Sequence, residues 1–352
     1  LLSACGTKRQ YFEPEKIQSK LSYDEKLNSK IVDANLNFAR LRNNQVLGDD
    51  GLIDGFVLEK GYTLLKYEAD EFVVADENGN LKILTQENEE LYSYKFDAAV
   101  LSVDLSGDDL ALVLADNTIV LANRSLGIKM AQTLALAPAQ DSRVAAPCFL
   151  DTIIVYPSLD GKLIIVDRTS QRIIKDVVVS SEDFFNNIIY LNIVGDAMIA
   201  ATAKKIVVVS PNQTFSLSED IKNAVMADNF IFIFAKNGNI IKTNLKLNKL
   251  VEKKFKFALY NESNIYKGHL YVFEKTGYLI KSDLNLEHIE VFRLKNAVNE
   301  KSREQENRFI ESESENDTIN NTTTNNESRI LNVTPPHEFN HNPIHENYDI
   351  PK

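Results

Sequence analysis

The chain has 352 residues, 44% of them hydrophobic, with 39 Lys and Arg against 50 Asp and Glu. The net charge of −11 argues against nucleic acid or an anionic lipid surface as a partner, because both repel an acidic chain. After Leu2 no apolar run approaches the ~20 residues that a membrane-crossing helix needs, so membrane contact has to come from another device.

That device is expected at the start, in Leu1-Leu2-Ser3-Ala4-Cys5-Gly6. Two Leu and two small residues ahead of a Cys resemble the lipobox of bacterial lipoprotein precursors. The resemblance implies that Cys5 is lipidated and that the preceding residues are the remnant of a signal peptide. Acyl chains on Cys5 would hold the protein to a bilayer at about 0.8 kcal/mol per buried CH2. Gly6 and Thr7 follow the Cys, rather than the Asp that commonly retains such proteins at the inner membrane. The expected location is therefore the outer membrane, with the protein facing the periplasm. Residues 6–30 are polar with few apolar anchors, so 1–30 is expected to be a lipobox remnant and tether.

From about residue 62 to 294, short β-branched or aromatic runs alternate with turn dipeptides. Phe72–Asp76 and Leu81–Leu84 flank Asn78-Gly79; Leu110–Ala115 and Thr118–Leu121 flank Asp116-Asn117. Thr152–Tyr156 and Leu163–Asp167 flank Asp160-Gly161; Ala197–Thr202 and Ile206–Val209 flank Ala203-Lys204-Lys205. Phe230–Ala235 and Ile240–Lys242 flank Asn237-Gly238; Leu270–Phe273 and Tyr278–Lys281 flank Thr276-Gly277. A strand, a tight turn of this composition and a second strand spell a β-hairpin. Turns at 79, 117, 161, 204, 238 and 277 are spaced by 38, 44, 43, 34 and 39 residues. That period accommodates four short strands, the size of one β-propeller blade. Strands such as Phe230–Phe234 are apolar at nearly every residue, which predicts burial on both faces between stacked sheets.

The predicted fold is all-β: a β-propeller of about six to seven four-stranded blades over 31–297. Six copies are plain, and Phe38–Leu41 with Phe56–Leu58 supply a seventh, partial blade or a strand that closes the ring. Residues 298–352, rich in Glu, Ser, Asn and Thr, bury too little apolar surface to offset chain entropy and are expected to be a disordered polar tail.

The lipobox, together with hairpin repeats of about 40 residues, resembles the quinoprotein-like, BamB-like propeller lipoproteins of the bacterial outer membrane. The resemblance covers Cys5 and roughly 62–294. It implies a non-enzymatic scaffold for protein partners of the cell envelope, with the β-barrel assembly machinery as the expected partner. The alternative is a periplasmic redox or accessory enzyme that uses the propeller funnel with a metal or quinone. The chain has no Trp, which departs from quinone-binding propellers and from WD-type repeats.

No catalytic constellation is present in the sequence: no G-x-S-x-G, H-E-x-x-H, P-loop or dinucleotide fingerprint. No catalytic, cofactor-binding or metal-binding residue is therefore assigned, and no cofactor is expected. His337, His341 and His345 would share one helical face, but Pro335, Pro336 and Pro343 preclude that helix and leave a solvated tail. Asp49-Asp50-Gly51 with Asp54-Gly55 lacks the spacing of a calcium loop and reads as a turn. Asn123, Asn212, Asn316 and Asn332 open bare glycosylation triplets of the kind an Asn-rich chain yields by chance. Cys148 in an apolar context reads as a buried inert thiol. His269 and His288 fall in a loop-to-strand stretch and a polar hairpin, with no assigned role.

Overall fold

All six predicted turns close hairpins, and five of them do so through a residue at positive φ. Gly79, Gly161, Gly238 and Gly277 adopt φ of +85°, +84°, +86° and +100°, a region that L side chains enter at a cost. The turn at 117 uses Asn, which tolerates the same region, at φ +62°. In this computed structural model the described residues are 10–21, 25–48, 51–139 and 141–294, with the strand segments Arg303–Gln305, Arg308–Glu311 and Arg329–Asn332.

Each predicted hairpin forms the second and third strands of a four-stranded antiparallel sheet whose strands pair in sequence order. The third sheet is typical, with Val100–Ser106, Asp109–Leu114, Thr118–Asn123 and Gly127–Thr133. Seven such blades run from Ile31 to Arg293. The first is a complete blade, Ile31–Ala34, Ala39–Leu41, Val46–Gly48 and Gly51–Leu52, with strands of only two to four residues. The protein is thus a seven-bladed β-propeller of four-stranded sheets, with no helix among its described residues.

Burial explains why the middle strands are apolar throughout. Ile231 and Ile233 pack toward the fifth blade with Ile199 and Val208, while Phe232 and Phe234 pack toward the seventh with Val272 and Ile280. Alternate residues of one strand therefore enter two different cores, and each buried side chain contributes roughly 1.5–3 kcal/mol. The fourth strands of the second, fourth and sixth blades border solvent along most of their length.

An eighth four-stranded sheet joins the two ends of the chain. Glu25–Lys26 pairs with Arg329–Asn332, which pairs in turn with Arg308–Glu311 and Arg303–Gln305. Its Arg303–Gln305 strand lies beside Tyr260–Tyr266, the first strand of the seventh blade. The rest of the predicted tail, and Cys5 with its lipobox, lie outside the described residues.

The N-terminal stretch expected to be a tether is attached to the ring where its few apolar residues fall. Gln18 and Leu21 donate backbone hydrogen bonds to Val291 and Arg293 at 2.8 and 2.9 Å, extending the outer edge of the seventh blade. Phe12 is buried edge-on against Tyr278 and Phe255.

Candidate protein-interaction face

Two sets of loops share one face of the propeller, and backbone hydrogen bonds tie them together. The amides of Phe96, Val179, Phe255 and Leu294, each just past an outer strand, donate to the carbonyls of Gly79, Gly161, Gly238 and Gly277. The turns between second and third strands therefore lie beside the connections from one blade to the next. The remaining turns open on the opposite face.

On the first face, two long connections flank the fourth blade, one over 134–147 and the other over 179–189. They brace each other. Asn187 Nδ2 donates to the carbonyl oxygens of Asp141 and Arg143 at 3.3 and 2.9 Å, and the Ala145 amide donates to the carbonyl of Ile188 at 3.0 Å. Arg143 grips Asp141 through Nε at 2.8 Å and Nη2 at 2.5 Å and reaches the carbonyl of Lys222 in the sixth blade. Burial works against the charged form of Asp141, but Arg143 outweighs it and holds the carboxyl below its ordinary range.

These braced loops present apolar side chains to solvent. Leu136 is 92% exposed and Phe184 67% exposed, with Phe185, Phe257 and Leu259 also exposed on this face. Phe185 sits at φ +55°, an uncommon and costly conformation for a bulky residue, in a connection whose neighbours Asn186 and Asn187 are firmly bonded. Lys236 Nζ lies 5.8 Å from the Phe185 ring centroid, and Lys256 Nζ lies 5.0 Å from that of Phe257. Lys254 adds a third cation, donating to the Asn237 carbonyl at 2.5 Å. Aromatic rings edged by ammonium groups suit a partner surface that combines apolar side chains with carboxylates.

Outer edges offer a second kind of surface. On Arg172–Val178, the fourth strand of the fourth blade, Ile173, Ile174 and Val178 are all exposed. Such an edge strand can accept an added strand.

Apart from His269 and His288, which line one hollow beside the seventh blade, the residues weighed from sequence are dispersed. Cys148 begins the fourth blade half-buried; burial, then the nearby Asp104 carboxylate, push its thiol up and disfavour the thiolate. Asp54 lies in the connection between the first two blades, where its carbonyl accepts Gln86 Nε2 at 2.7 Å. Asn123 spends its side chain on a turn, donating to Asp109 at 2.8 Å and accepting from the amides of Ser125 and Leu126. His337, His341, His345, Asp49, Asp50 and Asn316 lie outside the described residues. The Phe184-Phe185 pair, which sequence reasoning passed over, carries a legible signal: adjacent aromatics among Glu182, Asp183, Asn186 and Asn187 interrupt a polar connection.

No family model matches the chain. It is 31% identical over 315 residues to the plasminogen-binding protein PgbB of Helicobacter pylori, a match covering 76% of this chain and 58% of that protein. The PgbB of a second Helicobacter pylori strain is 30% identical over 296 residues, covering 71% and 54%. The chain thus spans little more than half the length of the curated relatives it matches. Among solved structures, BamB from Moraxella catarrhalis superposes with a TM-score of 0.65 at 14% identity, covering 87% of this chain and 99% of that one. At that identity the likeness speaks for the fold alone.

Proposed function

We propose that this chain is a non-enzymatic, protein-binding scaffold whose recognition face is the one bearing Phe184, Phe185 and Phe257, and that plasminogen is among its partners. The 31% identity to proteins named for plasminogen binding carries the choice of partner. The exposed aromatic and lysine groups support it physically, since apolar anchors in a rigid frame dominate protein interfaces. Surface plasmon resonance with plasminogen over the immobilised full chain tests the reading. Saturable binding, absent with serum albumin, supports it; no response at micromolar plasminogen overturns it.

The narrower reading as an outer-membrane assembly factor has the BamB likeness as its support, and that likeness is one of fold. The two readings place the ring on different sides of the outer membrane. We further propose that Cys5 carries a lipid anchor in either case. Protease treatment of intact cells discriminates between them: a plasminogen binder is cleaved from outside, whereas a periplasmic assembly factor is protected until the outer membrane is opened. Release of a Cys5→Ser variant into the soluble fraction supports the anchor, and continued sedimentation with membranes removes it.

A further inference from the structure

We propose that the Asp283–His288 turn of the seventh blade, together with His269, forms a binding site for one divalent transition-metal ion of the Zn2+ type. The site lies on the face opposite the aromatic loops and is independent of the protein-binding reading.

Both histidines among the described residues meet here. His269 opens the strand His269–Glu274 and pairs in register with Asp283, which closes Tyr278–Asp283. Directly opposed residues of an antiparallel pair project on the same side, so imidazole and carboxylate share one wall. The chain then turns sharply. The Leu286 amide donates to the Asp283 carbonyl at 3.1 Å, and the Glu287 amide donates to Asp283 Oδ1 at 2.9 Å. Ligand atoms of Asp283, Glu287 and His288 all fall within 4.8 Å of one another. Ligands on a tetrahedral ion at about 2.0–2.1 Å stand roughly 3.3 Å apart, so small rotations suffice for these three. His269 stands outside that cluster and would complete the set by a larger side-chain rotation across the strand pair. His288 Nδ1 and Asp283 Oδ2, now 2.6 Å apart, would exchange a shared proton for the ion.

Two features make this more than an exposed acidic cluster. The turn is fixed by its other residues: Leu286, at φ +58°, buries its side chain in the core, and Asn285 Oδ1 accepts Lys242 Nζ of the sixth blade at 3.0 Å. His269 Nδ1 lies 3.0 Å from the Lys267 carbonyl. A proton on Nδ1 donating there leaves the Nε2 lone pair for a metal, the arrangement that outer-shell carbonyls impose on ligating histidines. A hollow of about 410 Å3 lined by His269, Asp283 and His288 admits an ion with its waters. The nearby cation Lys281 is balanced by Glu290 at 3.8 Å. Two imidazoles with two carboxylates form a mixed nitrogen and oxygen set, which favours Zn2+ over the all-oxygen preference of Ca2+ or Mg2+.

Calorimetric titration of Zn2+ into the full chain tests this, with His337, His341 and His345 changed to Gln so that the tail contributes no imidazole. The expected result is one equivalent of Zn2+, weakened at least about tenfold by Asp283→Asn and by His269→Gln. The melting midpoints of both variants in EDTA should match that of the parent, which separates lost ligation from lost folding. Zn2+ affinity unchanged in both variants, or Ca2+ bound in preference to Zn2+, overturns the site.

Discussion

Asn117, in the turn of the third blade, donates from Nδ2 to Asp160 Oδ1 in the turn of the fourth at 3.1 Å, joining the loops of two blades. Its Oδ1 accepts the Leu159 amide at 2.8 Å, and Nδ2 also reaches the Ala135 carbonyl at 2.7 Å. Asn117 is fully buried and stands where other blades place Gly, so one side chain both tolerates φ +62° and bridges the blades. Asn117→Gly keeps the backbone freedom but strands the Leu159 and Ala135 groups, and should cost about 2–3 kcal/mol. Asn117→Ala should cost about 1 kcal/mol more, because Ala strains at positive φ. Urea denaturation measures both; midpoints equal to wild type would show that the bridge contributes nothing.

Gly238 and Gly268 separate conformational strain from steric collision. Both have positive φ, +86° and +71°, but a Cβ on Gly268 meets nothing within 4 Å, whereas one on Gly238 collides with the Phe255 carbonyl oxygen. That oxygen lies in the stretch whose amide bonds the Gly238 carbonyl, and Tyr260 Oη donates to the same carbonyl at 2.7 Å. Gly268→Ala should destabilise by about 1 kcal/mol, the cost of positive φ alone. Gly238→Ala and Gly238→Val should cost at least twice that, because the blade-to-blade connection must shift. Equal thermal midpoints for the two Ala variants would contradict this ordering.

The hairpins were legible because their signals are local: a turn residue able to take positive φ, between strands apolar on both faces. The first blade was only partly legible. Ala39–Leu41 and Val46–Gly48 are too short to show a period, and Asn44 at φ +65° stands in place of a glycine. Pairing of Glu25–Lys26 with Arg329–Asn332 joins segments some 300 residues apart, and no window of sequence reports it. The candidate metal site was hidden for a related reason. His269 and Asp283 are neighbours only through strand register, so their spacing of fourteen positions carries no ligand motif. Phe184 and Phe185 stand out in sequence as adjacent aromatics in a polar connection, but only the fold shows that they stay outside the core.

Two carboxylates should give the stability opposite dependences on pH. Glu274 is fully buried, and burial pushes its carboxyl above the ordinary 4.5, against hydrogen bonds from Thr276 and the Leu259 amide that favour the anion. The unfolded chain ionises first, so the contribution of Glu274 is complete below about pH 4.5 and is lost as pH rises through the folded value. Asp141 has the reverse sign: lowered from 3.8, its contribution is present above that value and is lost as pH falls through the folded one. The stability gap between wild type and Glu274→Gln should shrink as pH rises from 4 toward 7. The gap to Asp141→Asn should shrink as pH falls below 4. Gaps that ran parallel in denaturation series across this range would refute both assignments.

The aromatic face makes the sharpest prediction, because it sets stability against binding. Phe185 occupies φ +55° while its ring stays partly in solvent beside Lys236, an arrangement that core packing alone does not explain. Phe185→Gly relieves that backbone strain and, with little core contact to lose, should leave the melting midpoint equal or higher. Phe184→Ser removes a ring that is 67% exposed, so it too should leave stability unchanged. If the face is the docking surface, the double variant should bind plasminogen at least about tenfold more weakly, the loss of 1.4 kcal/mol or more that a single aromatic anchor supplies. Surface plasmon resonance and thermal unfolding on the same preparation read both quantities. Unchanged affinity would move the binding surface elsewhere, with the Ile173, Ile174 and Val178 edge of the fourth blade next in line. A melting midpoint that fell with the affinity would instead mark the two rings as structural, since only a recognition role predicts that binding is lost while the fold is kept.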